Sequence, residues 1–222
     1  DILRLGVWNC RGWSTKTNDN SIFREKLLNY SNCDILCICE TFLRVDEFLT
    51  VDGFRFYGSN RKYIHKKATR GSAGVGAFVK EELLYSFNIG IIDDTTEGIM
   101  WLEFSDKFSK KCFYVVACYL PPADTCRPVD ADVYFQTLLN QIYSYQHKGK
   151  IFICGDMNAR VGANSDFIEG VDLVKPRNVI DHVENHHGDV FVNFLSDVNF
   201  GMLNGRYSDN EFTCISTNGK SV

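Results

Sequence analysis

A strand that surfaces into short oxygen ligands constrains this chain more than any other feature. Ile151-Phe152-Ile153-Cys154 is wholly apolar, Gly155 ends the run, and Asp156 and Asn158 follow, two residues apart. Such a tip suits a hard cation and a phosphate ester. Three earlier apolar runs also end in polar residues: Asn9 after 3–8, Glu40 after 34–39, and Tyr119 at the close of 112–119, just before Pro121-Pro122. In sheet proteins, sites gather at the carboxyl ends of strands. A carboxylate directly after a buried strand is costly unless it is paired or bound to metal. Each signal alone has a plain alternative: a turn asparagine, a loop cap, a packing tyrosine, a helix N-cap. Their joint occurrence in one chain favours a site.

Further strands are expected over 74–79, 99–104 and 211–215. Helices are expected where apolar residues recur at helical spacing. One carries Phe23, Leu27 and Tyr30 behind a Ser21 cap. A second carries Phe135, Leu138, Leu139 and Ile142 behind Asp130 or Asp132 and stops at Gly149. A third carries Phe191, Phe194, Leu195 and Val198 and is entered through Gly188-Asp189. Strands outnumber helices, and some read as buried on both faces while others alternate. That mixture predicts an α/β four-layer sandwich, two mixed β-sheets face to face with helices outside.

The chain has 222 residues, 45% hydrophobic and 23% charged, which is globular composition. Nothing resembles a linker, so a single domain over 1–222 is expected. No apolar stretch approaches the ~18 residues that cross a membrane, and no membrane partner is expected. The start, Asp1-Ile2-Leu3-Arg4, is neither a signal peptide nor an initiator methionine, so a trimmed domain or a fragment is expected. Nine cysteines are an odd number, several lie inside apolar runs, and no CxxC pair occurs. Free buried thiols point to a reducing compartment, cytosol or nucleus. The net charge of −4 argues against a broad nucleic-acid-coating surface but permits a local one. Residues 61–70 hold Arg61, Lys62, Lys66, Lys67 and Arg70 and no acidic residue. They read either as a phosphate-contacting loop or as a solvated turn.

The order Trp8-Asn9-Cys10-Arg11-Gly12, then Glu40-Thr41 after an apolar strand, then Tyr119-Leu120-Pro121-Pro122, then Gly155-Asp156-Met157-Asn158-Ala159 resembles the exonuclease–endonuclease–phosphatase superfamily, of deoxyribonuclease I-like fold. More narrowly, it is similar to the apurinic-type endonuclease domain of non-LTR (LINE) retrotransposons. The stretches Asn185-His186-His187-Gly188, Met202-Leu203-Asn204-Gly205 and Phe212-Thr213 share in that likeness. The resemblance implies that Asn9 and Glu40 are metal-site residues, with Glu40 the direct ligand of Mg²⁺, or Mn²⁺ in its place. It implies that Asp156 orients or deprotonates the attacking water, that Asn158 holds a phosphate oxygen or the metal, and that Tyr119 donates to the phosphate. Thr213 and Arg11 would touch the DNA, along with the basic run.

Double-stranded DNA is the implied partner, the nucleus the implied location, and a reverse transcriptase the implied companion domain. The family pattern continues into a Ser-Asp-His, and none of His65, His147, His182, His186 and His187 stands in that context. The expectation is therefore a domain incomplete at its C-terminus, its last strands missing, and weak or inactive by itself. Two other readings stand beside the nuclease: a superfamily phosphatase acting on inositol phosphates or lipids, and a non-catalytic DNA-binding remnant.

Overall fold

The computed structural model describes residues 2–13, 21–65, 67–125 and 128–207. In chain order the elements are β1 (Leu5–Asn9), α1 (Ser21–Ser31), β2 (Ile35–Cys39), β3 (Phe54–Ser59), β4 (Val75–Lys80), α2 (Leu83–Ser86), β5 (Phe87–Asp93), β6 (Ile99–Asp106), β7 (Cys112–Tyr119), α3 (Ala131–Tyr145), β8 (Gly149–Asp156) and α4 (His186–Val198). The chain divides into two compact units. One comprises Asp1–Pro121 with Tyr143–Met157, the other Pro122–Ile142 with Asn158–Val222.

The first unit holds both sheets, ordered β1-β2-β4-β3 and β5-β6-β7-β8. Each is mixed. β1 runs parallel to β2 and β7 parallel to β8, while the remaining neighbours are antiparallel. The expected pair of mixed sheets is present. Strand alternation explains the packing. Ile35, Cys37 and Cys39 of β2 and Val75, Ala77 and Val79 of β4 meet Met100, Leu102 and Phe104 of β6 and Val115 and Ala117 of β7 in one core. The other face of β2, Leu36 and Ile38, packs with Phe78, Trp13 and Leu28 of α1. A strand buried on both faces has no polar alternation, which is why 35–39 reads as one apolar run.

Two local expectations change. Tyr30 of α1 is exposed, while Leu28, outside the expected stripe, is buried in the core. Its burial stabilises the contact by about 1.5–3 kcal/mol, aided by the Arg24 guanidinium 5.5 Å from the Trp13 ring. β8 extends two residues past the predicted run and includes Asp156. It is only partly buried, with Phe152 38% exposed, and among the described residues it pairs with β7 alone. The late strand expected over 211–215 lies outside the described residues.

In the second unit α3 buries Ala131, Tyr134, Phe135, Leu138 and Ile142. Phe135 packs against Phe191 and Phe194 of α4. The loops of this unit are pinned by Asp166, whose side chain is fully buried. Arg206 binds it with Nη1 and Nη2 at 2.8 Å each, and the Met202 N–H donates to it at 2.6 Å. Burial pushes the Asp166 carboxyl up, but these donors outweigh it and hold the group below its ordinary value. A depressed folded pKa contributes stability that is present above the unfolded value, about 3.9. That stability is lost as pH falls through the folded value. Acid titration followed by far-UV circular dichroism should show Asp166→Asn losing much of the steepness of unfolding below pH ~4. A variant whose acid transition superimposes on the parent would disprove this role.

Candidate active site

Four strand ends converge in the first unit. Asn9 is the last residue of β1 and pairs in register with Cys39, so Glu40 emerges one residue later on the neighbouring parallel strand. Tyr119 and Asp156 are register partners at the last rung of the parallel β7–β8 pair. The Asn9 amide nitrogen donates both to Glu40 Oε1 and to Asp156 Oδ2, each at 2.8 Å. It thereby ties one sheet to the other and keeps two like charges adjacent. The Asn9 amide oxygen accepts the Arg11 N–H at 3.1 Å, which fixes which way the amide points. The Tyr119 hydroxyl donates to Glu40 Oε1 at 3.0 Å. Burial, then the Glu40 carboxylate, pushes the Tyr119 phenol well above its ordinary value, so it remains a proton donor at neutral pH.

The floor of this cluster is thiol-lined. Cys39 Sγ donates to the Cys118 carbonyl at 3.2 Å, and Cys10 Sγ to the Cys39 carbonyl at 3.2 Å. Burial pushes the Cys10 thiol up to about 11. It is therefore a packing group and not a nucleophile at neutral pH. The backbone at the cluster is strained. Arg11 (φ 47), Glu40 (φ 55) and Phe42 (φ 54) adopt the left-handed conformation that side chains disfavour. Such residues persist where their surroundings over-determine them, often at functional sites.

Asn158 belongs to the second unit and is also left-handed, with φ 46. Asn185 holds it. The Asn185 Nδ2 donates to the Asn158 carbonyl at 2.9 Å, while its Oδ1 accepts the N–H groups of Arg160 at 3.0 Å and Gly188 at 2.8 Å. The last bond makes Asn185 the N-cap of α4. Sequence reading placed the helix entry three residues later and missed this clamp; an asparagine three residues before Gly188 was the available signal. His187 is buried; burial, then His186, lowers its pKa, and the nearby Asn158 backbone opposes that shift. Replacing Asn185 by Ala removes a cap worth about 1 kcal/mol and strands backbone groups worth about 1–3 kcal/mol. Denaturant unfolding should show a loss of about 2 kcal/mol, and Asn185→Asp, which keeps the cap acceptor, should lose less. Equal losses in the two variants would contradict the clamp.

The remaining expected residues are spread. Arg61 turns inward. It is 9% exposed, and its guanidinium is bonded to Glu97 and to Ser72 Oγ. That commits its buried guanidinium to an ion pair with an exposed carboxylate, unlike the exposed Lys62, Lys67 and Arg70. Arg11 is exposed. Lys66 and Thr213 lie outside the described residues.

The model of the endonuclease/exonuclease/phosphatase family matches residues 6–208. The chain belongs to that family. Members of this family are hydrolytic enzymes and generally depend on divalent metal ions. No curated protein matches the chain. Among solved structures it is similar to the AP endonuclease LMAP from Leishmania major, with 17% identity, a TM-score of 0.61, and 89% of this chain and 67% of that one covered. It is likewise similar to the APE2 catalytic domain of Xenopus laevis, with 18% identity, a TM-score of 0.52, and 77% of this chain and 63% of that one covered. These likenesses establish the deoxyribonuclease I-like fold.

Among the described residues no group of three or more His, Cys, Asp or Glu side chains could hold a metal ion. The acid cluster instead offers two carboxylates, while the thiols beneath them donate to backbone carbonyls. That donor set fits a hard cation that keeps most of its waters, as Mg²⁺ does.

Proposed function

We propose that the chain is a metal-dependent DNA endonuclease of the LINE retrotransposon type, which nicks double-stranded DNA for reverse transcription. The observation that carries this is the Asn9 amide bridging Glu40 and Asp156, with the Tyr119 hydroxyl on Glu40. Glu40 would hold Mg²⁺ or Mn²⁺, with Asn9 fixing its orientation. The bound cation would supply Lewis-acid stabilisation of charge on the phosphoryl oxygens. Asp156, anchored by the same amide, would orient or deprotonate the attacking water. Tyr119, kept protonated, would donate to a phosphate oxygen. The partners proposed are duplex DNA and a reverse transcriptase within the same polyprotein, and the location proposed is the nucleus. The seven free cysteines of the described residues suit a reducing compartment.

Supercoiled plasmid, incubated with protein in excess and Mg²⁺, tests the proposal. Slow conversion to open circles with polymerase-extendable 3′-hydroxyls is expected. A rate unchanged by chelator would overturn it. Phosphate release from inositol phosphates without nicking would move the assignment to a phosphatase.

A further inference from the structure

The acid cluster concentrates negative charge on a chain that is already acidic, so a polyanion needs a local source of positive charge to approach it. The first unit has one. A cavity of about 180 Å³ is lined by Arg11, Arg44 and Arg70, with Glu47 as the only carboxylate among the described residues that line it. Glu47 Oε2 already accepts the Arg44 backbone N–H at 2.9 Å. Among the described residues, three guanidinium groups line the pocket against one carboxylate that is already bonded.

The side chains are placed to bind and not merely to attract. The Arg70 guanidinium lies 4.5 Å from the centre of the Phe42 ring. A guanidinium held over a ring in this way can still offer N–H donors to phosphate oxygens. Arg44 spends one Nη2 bond on the Ala68 carbonyl at 2.8 Å, which anchors it while four donors remain. Thr41 also lines the cavity; it is 1% exposed, and its hydroxyl has no hydrogen-bond partner among the described residues. A buried unmatched hydroxyl is costly unless something else satisfies it. Two wall residues, Arg11 and Phe42, carry the left-handed strain noted above.

The pocket is tied to the acid cluster through the chain. Arg11 follows Asn9 by two residues, and Phe42 follows Glu40 by two, a reach of at most about 7 Å. The Gly12 N–H bonds the Glu40 carbonyl at 2.7 Å, and the Trp13 N–H the Thr41 carbonyl at 2.8 Å, so the two loops move as one.

We infer that this pocket seats a phosphate group of a nucleic-acid strand, the one next to the phosphate presented to Glu40 and Asp156. The inference rests on the nuclease reading and assigns to Arg44, which no sequence signal marked, a share in holding the strand.

Fluorescence anisotropy of a labelled DNA duplex, across a salt series, reads the seat directly. Arg44→Gln/Arg70→Gln should weaken binding about tenfold and flatten the slope of log K against log salt by about 0.9, one phosphate contact. Arg70→Lys keeps the charge but loses the planar fork, and should restore the slope with only part of the affinity. Melting temperatures without DNA show that each variant is folded. A slope equal to the parent's in the folded double variant overturns the inference. Inorganic phosphate at matched ionic strength forms the second arm: stabilisation by phosphate, with no DNA binding, would make this a free-anion site and overturn the strand assignment. Failure of the nuclease reading looks different: DNA binding and its salt slope would stand, while Glu40→Gln left nicking unchanged.

Discussion

Asp156→Asn should lower the nicking rate about a thousandfold, equivalent to about 4 kcal/mol of transition-state stabilisation. The substitution keeps the size and leaves the strand ladder intact, because Asp156 pairs with Tyr119 through the backbone. What it removes is the charge that the Asn9 amide holds 2.8 Å away. Glu40→Gln should cost a similar factor, since the same amide nitrogen serves Glu40 Oε1. The double variant should be scarcely worse than either single one, because groups that act as a unit are not additive. Tyr119→Phe removes a single donor and should cost less, about tenfold to a hundredfold. Single-turnover nicking with Mg²⁺ measures all four. An Asp156→Asn rate within tenfold of the parent would remove Asp156 from the reaction. A double variant showing the product of the two single losses would mean that Asn9 does not couple the carboxylates.

That coupling was only half legible in the sequence. Each strand end announces itself locally, because an apolar run that stops at a polar residue marks where the chain leaves the core. Asn9, Glu40, Tyr119 and Asp156 could all be named on that basis, and the structure brings these four together. Which way the Asn9 amide points depends on the Arg11 N–H at 3.1 Å and on two carboxylates 31 and 147 residues away. No local pattern encodes that. The family resemblance makes Asn9 a metal-site residue, whereas the geometry shows its amide nitrogen facing the carboxylates.

The basic run shows the opposite limit. Arg61 and Lys62 are adjacent and chemically alike in the sequence, yet Arg61 is buried and bonded to Glu97, 36 residues on, and Lys62 is exposed. Composition identifies a positive segment but not which cations remain at the surface. Strands β3 and β5 carry no clear strand period in the sequence, for a different reason. The run FNIGIID of β5 has a glycine at its centre and two adjacent exposed isoleucines, Ile91 and Ile92, beside a shift in register. Such a bulge breaks the two-residue period by which strands are recognised.

Gly155→Ala should be the most damaging single change to the fold near the site. Gly155 sits opposite Cys118 in the parallel β7–β8 ladder. A Cβ there would lie 1.9 Å from the Cys118 carbonyl oxygen, 2.7 Å from its carbon and 2.9 Å from its Cα. All three are backbone atoms of a strand whose C-terminal half is fully buried, so no side-chain rotation relieves the clash. The last rungs must separate, which strains the Leu120 N–H bond to the Asp156 carbonyl at 3.0 Å and carries Asp156 away from Asn9. Forced overpacking costs about 1–3 kcal/mol where side chains can yield, and a backbone contact belongs at the top of that range or above it. A loss of about 3 kcal/mol or more in urea unfolding is expected, or about 6–12 °C in melting temperature for a chain of this size. Cys118→Ala should not rescue it, since the obstructing atoms are main-chain. Gly90→Ala is the control: nothing lies within 4 Å of its added Cβ, so that variant should unfold within about 0.5 kcal/mol of the parent. If Gly155→Ala behaved like Gly90→Ala, the register that delivers Asp156 to the site would be wrong, and the placement of the carboxylate would fall with it.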